Sequence, residues 1–240
     1  MEDHRRRRRL LTRLAAFTVL VAAGDMALIT PTLPARLDTV PLTAAQIEHR
    51  VTKGTVEVMS LQCDLTLNHG TGIAVGTDRV LTNQHVVGSP RVVDLAADVT
   101  PVARPTTIRT SAGADLGVVD VDAMPVTPLP LAPDDPEPGE RVWLAGYPHD
   151  GPNSTSKGLI VEPAKVLDYV DGRPMAQPGD VLRLDTAARP GMSGGPVLDA
   201  AGRVVGMVFG VQTTTGDSLV LPVSLVRTAL GAPMVAPPRC

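Results

Sequence analysis

Short runs of valine, leucine and isoleucine, each about a strand long and each closed by turn residues, recur along most of this chain and limit what it can become. The first series is TVEVMSL from Thr55, TGIAVG from Thr71, RVLTNQHVV from Arg79, RVVDLA from Arg91 and LGVVDVD from Leu116. A second follows as RVWLAGYP, SKGLIVEPAKVLDYV, DVLRLD, GPVLDAAGRVVGMVFG and SLVLPV, between Arg141 and Val223. Between them lies MPVTPLPLAPDDPEPGER, Met124–Arg141, too rich in proline for a central strand or a helix and therefore a connector. With 22 Gly and 23 Pro, long helices are disfavoured, and 43% hydrophobic residues with only 2% aromatic ones make the core aliphatic. The pattern predicts an all-β chain of two lobes. Two short helices are expected at its margins: TAAQIEHR capped by Thr43, and VSLVRTALG, Val223–Gly231, capped by Ser224 and stopped by Gly231. DAAG, Asp199–Gly202, reads as a hairpin turn.

The termini carry a different message. Arg5–Arg9 precede LLTRLAAFTVLVAAG, a positive region leading into an apolar one, which is the layout of an export signal or a single membrane anchor. The apolar character continues through MALIT to about 17 residues, near the lower limit for a span, so both cleavage and retention fit. The chain is therefore expected outside the cytoplasm, in the cell envelope or secreted, touching a membrane only through an uncleaved N-terminal segment. A net charge of −3 offers nucleic acid no general attraction. In an exported protein the only two cysteines, Cys63 and Cys240, are expected to pair; the alternative is a buried Cys63 and a free terminal thiol.

Three local patterns bear on chemistry: VLTNQHVV holds His85 at the end of an apolar strand, ADLGVVDVD sets Asp115 just before another, and GMSGGP holds Ser193. A serine hydroxyl is a weak nucleophile at neutral pH, and an imidazole is the side chain best suited to take its proton during attack. A carboxylate on the far ring nitrogen fixes the tautomer and stabilises the imidazolium as it forms. Backbone N–H groups can receive the resulting oxyanion only where no side chain obstructs them, which the glycines around Ser193 allow. His85, Asp115 and Ser193 suit these roles, with the amides of Gly191 and Ser193 as oxyanion donors.

TNQHVV, ADLGVV and GMSGGP, in that order, resemble the His, Asp and Ser blocks of trypsin-like, chymotrypsin-fold serine proteases. The run PGMSGGPVLDAAGRVVGMVFG leading to LPVSLV is similar to HtrA-type catalytic domains. Closer in look are the membrane-anchored periplasmic proteases of actinobacteria linked to acid resistance, which share the GYP turn, the VFG strand and a cysteine ahead of the His block. The resemblance covers about Val51 to Leu230 and implies two six-stranded antiparallel β-barrels with a short C-terminal helix. The implied divisions are 1–35 as signal peptide or anchor, 36–50 leading into the fold, 51–123 and 141–231 as barrels, 124–140 as linker and 232–240 as tail. The resemblance also implies a primary specificity pocket floored near Ala187, and a strand, Val208, Phe209 and Gly210, that pairs with the substrate backbone. With no carboxylate at Ala187, a small or medium apolar P1 residue is expected unless Asp217 lines the pocket wall.

The chain departs from the digestive members at Met192, where they carry an aspartate that pairs with a newly cut N-terminus, so that activation route is excluded. HtrA proteins add a PDZ module after the protease, and too little sequence follows Leu230 here to expect one. Asp120 and Asp122 compete with Asp115 and are expected to face solvent. His149 belongs to an exposed turn, and His49 and His69 have no partners at metal-ligand spacing. No metal or other cofactor is expected. The expected partner is a protein or peptide substrate, cut by an exported serine endopeptidase; the alternative is a catalytically silent member that binds peptides as a sensor or scaffold.

Overall fold

A computed structural model describes residues 40–97, 100–150, 157–238 and 240. The expected export signal or anchor lies outside the described residues. Among those described, no helix is long and apolar enough to cross a membrane.

The first element is helix α1, Ala44–Gly54. Thr43 caps it by accepting the Gln46 N–H, while the Gln46 side chain returns to the Thr43 N–H, a reciprocal capping box that satisfies two donors left open at a helix start. Its Ile47 and Val51 are fully buried, each worth about 1.5–3 kcal/mol of transfer.

The first lobe is built from β1 Thr55–Gln62, β2 Leu67–Ala74, β3 Arg79–Thr82, the one-turn helix α2 Gln84–Val87, β4 Pro90–Ala97, β5 Thr100–Ala103, β6 Pro105–Ser111 and β7 Gly117–Val121. The second contains β8 Arg141–Gly146, β9 Ile160–Asp171, β10 Asp180–Leu184, β11 Pro196–Leu198, β12 Val204–Val211 and β13 Ser218–Pro222, followed by helix α3 Val223–Gly231. The tail then adds β14, Met234–Val235, to the first lobe beside β6.

The second lobe is a closed antiparallel barrel of six strands, in the order β10-β13-β12-β11-β8-β9. The first contains eight strands in one sheet ordered β14-β6-β7-β3-β2-β1-β4-β5, with the four-residue β5 and the two-residue β14 at its edges. Its edges do not join into a hydrogen-bonded cylinder. The sheet nevertheless wraps an apolar core that includes Val56, Val58, Val80, Leu95 and Val119. A second core fills the barrel with Leu144, Leu182, Leu184, Val197 and Val220. A third joins the lobes, where Ile47 and Val51 of α1 meet Ile73, Leu81, Leu198 and Met207.

The proline-rich connector is held by backbone bonds in turn to each lobe. Leu129 N–H donates to Ala74 O at 2.8 Å, while Ala132 N–H donates to Val204 O and Val204 N–H donates to Pro130 O, each at 2.8 Å. The cap of α3 differs from the sequence expectation. Pro222 is the N-cap, and Ser224 sits inside the first turn with its N–H and hydroxyl both on Asp135 of the connector. An acidic side chain remote in sequence supplies what the local pattern assigned to Ser224, and the macrodipole favours it there. Asp199–Gly202 makes the expected turn, with Gly202 at φ +72° and Asp199 Oδ1 receiving the Ala201 and Arg203 N–H groups.

Candidate active site

His85 comes from α2, not from the end of a strand. β3 stops at Thr82, Asn83 is extended, and buried Val86 and Val87 anchor the turn so that Gln84 and His85 face outward. Asp115 lies in the loop between β6 and β7. Its Oδ2 is 2.6 Å from His85 Nδ1, and its Oδ1 accepts the His85 backbone N–H at 2.9 Å. A carboxylate only accepts, so Nδ1 carries the ring proton and Nε2 is left as the basic nitrogen. The acidic loop is pinned from two sides. Asn83 Nδ2 donates to Asp115 O at 2.8 Å, and Asp115 N–H donates at 3.1 Å to Oε1 of Gln177, a buried residue of the second lobe. Asn83 stands within TNQHVV but had no role assigned from sequence, and nothing local announces Gln177.

Of the two competing carboxylates, one is engaged elsewhere and the other faces solvent. Asp120 accepts from Arg79, Arg109 and Thr107 at 2.6–2.7 Å, and Asp122 is exposed. Burial opposes ionisation of Asp120, but these three donors outweigh it and hold its carboxyl below the usual range.

Ser193 sits half-buried in the loop between β10 and β11. Its carbonyl accepts Thr71 N–H at 2.8 Å, Gly194 N–H donates to Val208 O, and Val208 N–H returns to Gly195 O. Gly70 of β2 shows how close the two halves of the site lie. A Cβ there would strike Val86, the neighbour of His85, on one side and stand 3.0 Å from the Ser193 carbonyl on the other. Glycine is required at two points of the loop: Gly191 has φ +91° with no room for a Cβ against Tyr147 O, and Gly194 has φ +85° with none against Thr71 O.

The loop also presents donors. Pro190 O accepts His149 N–H at 3.0 Å, so the trans peptide aims Gly191 N–H the opposite way. Thr71 Oγ1 donates to Gly191 O at 2.8 Å and accepts Tyr147 N–H at 2.9 Å, which fixes the next peptide. Among the described residues, the N–H groups of Gly191 and Ser193 donate to no protein acceptor. His149 is half-buried against this loop, contrary to the expectation of an exposed turn.

Ala187 is exposed, in a stretch fastened to β13 by buried Ser218, whose hydroxyl donates to Thr186 O at 2.5 Å and accepts Ala188 N–H at 2.8 Å. Asp217 is neutralised by Arg183 Nη1 at 2.9 Å and also bound by Thr215. In β12, a bulge at Phe209 separates Val208 from Gly210, and beyond Val208 the strand pairs only with β13. Its other edge is open at the two half-buried residues Phe209 and Gly210. Cys63 and Cys240 form a disulfide with Cα atoms 5.3 Å apart, tying the tail to the end of β1.

Residues 70–207, more than half of the chain, match the trypsin-like peptidase domain family. The chain is 30% identical over 168 residues to the serine protease Rv3671c of Mycobacterium tuberculosis, covering 68% of this chain and 41% of that protein. It is 26% identical over 150 residues to the Do-like serine protease HtrA of Lactobacillus helveticus, covering 59% and 35%. The crystal structure of the active form of the Rv3671c protease superposes with a TM-score of 0.69 at 26% identity, over 80% of this chain and 87% of that one. The chain thus spans less than half the length of these curated relatives. A closed six-stranded barrel beside a wrapped sheet, the matching profile and these relatives agree that the chain is a chymotrypsin-fold member of the trypsin-like peptidase domain family, related to HtrA-type serine proteases.

Proposed function

We propose that this chain is an exported serine endopeptidase that cuts cell-envelope or extracellular proteins through an acyl-enzyme. The observation that carries the reading is the 2.6 Å pairing of His85 Nδ1 with Asp115, beside a loop whose Gly191 and Ser193 amides have no acceptor among the described residues. In the mechanism, a substrate strand lies along Phe209–Gly210 and adds to the open edge of β12. Ser193 Oγ attacks the scissile carbonyl as Nε2 of His85 takes its proton, and Asp115 stabilises the imidazolium. The oxygen of the tetrahedral intermediate is received by Gly191 and Ser193 N–H. His85 then protonates the leaving amine, and a water deprotonated by His85 hydrolyses the ester, returning Ser193. Neutralisation of Asp217 by Arg183 and the lack of a carboxylate at Ala187 support an apolar P1 residue.

Hydrolysis of fluorescently labelled, unfolded casein tests this. The full chain should cleave it, with activity lost in Ser193→Ala and His85→Ala. A folded wild-type chain that binds casein without cutting it would favour a silent peptide-binding member instead.

A further inference from the structure

Behind the Ser193 loop, between the lobes, lies a buried ionisable pair that the proteolytic mechanism does not use. In the β1–β2 ladder Glu57 faces Thr71 and Met59 faces His69, so these four side chains project from one face of the sheet. Val56 and Val58 point the other way, into the first lobe's core. Thr71 on this face already holds Gly191 and Tyr147. Glu57 and His69 have side chains only 4% and 5% exposed, with His69 Nδ1 3.6 Å from Glu57 Oε1. That is ion-pair range but too long for a hydrogen bond, and neither ring nitrogen of His69 has a hydrogen-bond partner.

Leaving such a group unsatisfied costs about 1–3 kcal/mol, so the arrangement needs a reason. The third member supplies one. The His69 ring lies 4.8 Å, centroid to centroid, from that of His149, and the His149 ring packs where a side chain on Gly191 would stand. The His149 backbone N–H holds the Pro190 carbonyl, and with it the direction of Gly191 N–H. Among the described residues, the titratable groups placed against His69 are Glu57 from β1 and His149 from the loop after β8, with the Asp150–Lys157 pair next to His149.

We infer that Glu57 and His69 are positioning residues for the oxyanion hole, acting through His149 to keep the Pro190–Gly191 peptide turned so that Gly191 N–H faces the substrate. A proton on His69 closes the 3.6 Å gap into a charge-assisted hydrogen bond to Glu57, which fixes the ring against which His149 rests. The inference rests on the protease reading above, because it assigns these residues a part in the same reaction.

The test uses the full chain and labelled casein, with fluorophosphonate labelling of Ser193 as a control. Glu57→Gln and His69→Leu should lower kcat about 10–100-fold, a fraction of what loss of an oxyanion donor costs, with KM within about threefold of wild type. His69→Gln, which keeps an N–H donor toward Glu57, should recover most of the loss. The Gly191 amide resonance should move in Glu57→Gln, while the His85–Asp115 proton resonance does not. Unchanged kcat in both variants, or a loss that His69→Gln does not relieve while the Gly191 resonance stays fixed, would overturn the inference. If His69→Leu does not fold, Glu57→Gln alone still decides: a Gly191 amide resonance that stays fixed in that variant, with kcat unchanged, would refute the coupling. A wild-type chain that fails to label sinks the protease reading itself, whereas full labelling with unaffected variants sinks only this inference.

Discussion

The two lobes meet the same problem, a sheet with edges, in opposite ways. The second joins its edges into a barrel, so each of its strands has neighbours on both sides. The first leaves its sheet open and relies on the chain end, where β14 pairs with β6 and the Cys63–Cys240 bridge fastens the tail. The lobes also contribute differently to the site. The first supplies His85 and Asp115, oriented by side-chain hydrogen bonds, and the second supplies the Ser193 loop, shaped by backbone packing at its glycines. Orientation in the first lobe should therefore fail by losing a single hydrogen bond, and in the second by adding a single atom.

The largest effect should come from Asp115→Asn, which keeps the shape but reverses which ring nitrogen of His85 carries the proton. Steady-state kinetics should show kcat about 10⁴-fold lower with the fold intact. Next is reduction of Cys63–Cys240. A crosslink spanning 177 residues is worth up to about 5 kcal/mol in the chain-entropy picture. Hydrogen exchange should quicken most in β14, β6 and β1 and least in β10–β13; equal loss in both lobes would mean that the bridge does not serve the first lobe's open sheet in particular. Gly194→Ala places a Cβ against the Thr71 carbonyl at φ +85°, and should cost about 3 kcal/mol in urea unfolding together with the activity.

The smallest effect concerns Asp120 at the outer face of the first lobe. Its folded-state carboxyl is held below the usual range, so its contribution is fully present above the unfolded value and is lost as pH falls through the folded one. Because Arg79 and Arg109 are partly exposed, that contribution is about 1 kcal/mol. Stability measured from pH 6 to pH 2 should fall less steeply in Asp120→Asn than in wild type.

The sequence made some of this legible and hid the rest for physical reasons. Strand runs announced themselves because alternation and turn residues are local, and the three motifs because each holds its chemistry within a few residues. Capping of α1 was readable since Thr43 and Gln46 are three apart, whereas the partner of Ser224 is Asp135, whose approach depends on the path of the connector. His85 looked like the end of a strand because VLTNQHVV is apolar enough to continue one; the chain instead turns at Asn83, whose side chain is recruited by Asp115. Gln177 and the Glu57–His69–His149 cluster were invisible in sequence for a shared reason. Each acts across the boundary between lobes, where no spacing rule links one residue to its neighbour in space.

Proteolysis by this site requires an activated Ser193, which mass-spectrometric mapping of the full chain after treatment with a fluorophosphonate would detect. The expected result is one phosphonyl group on Ser193, absent in His85→Ala. A folded chain that takes up no label, or takes it up equally well without His85, would contradict it.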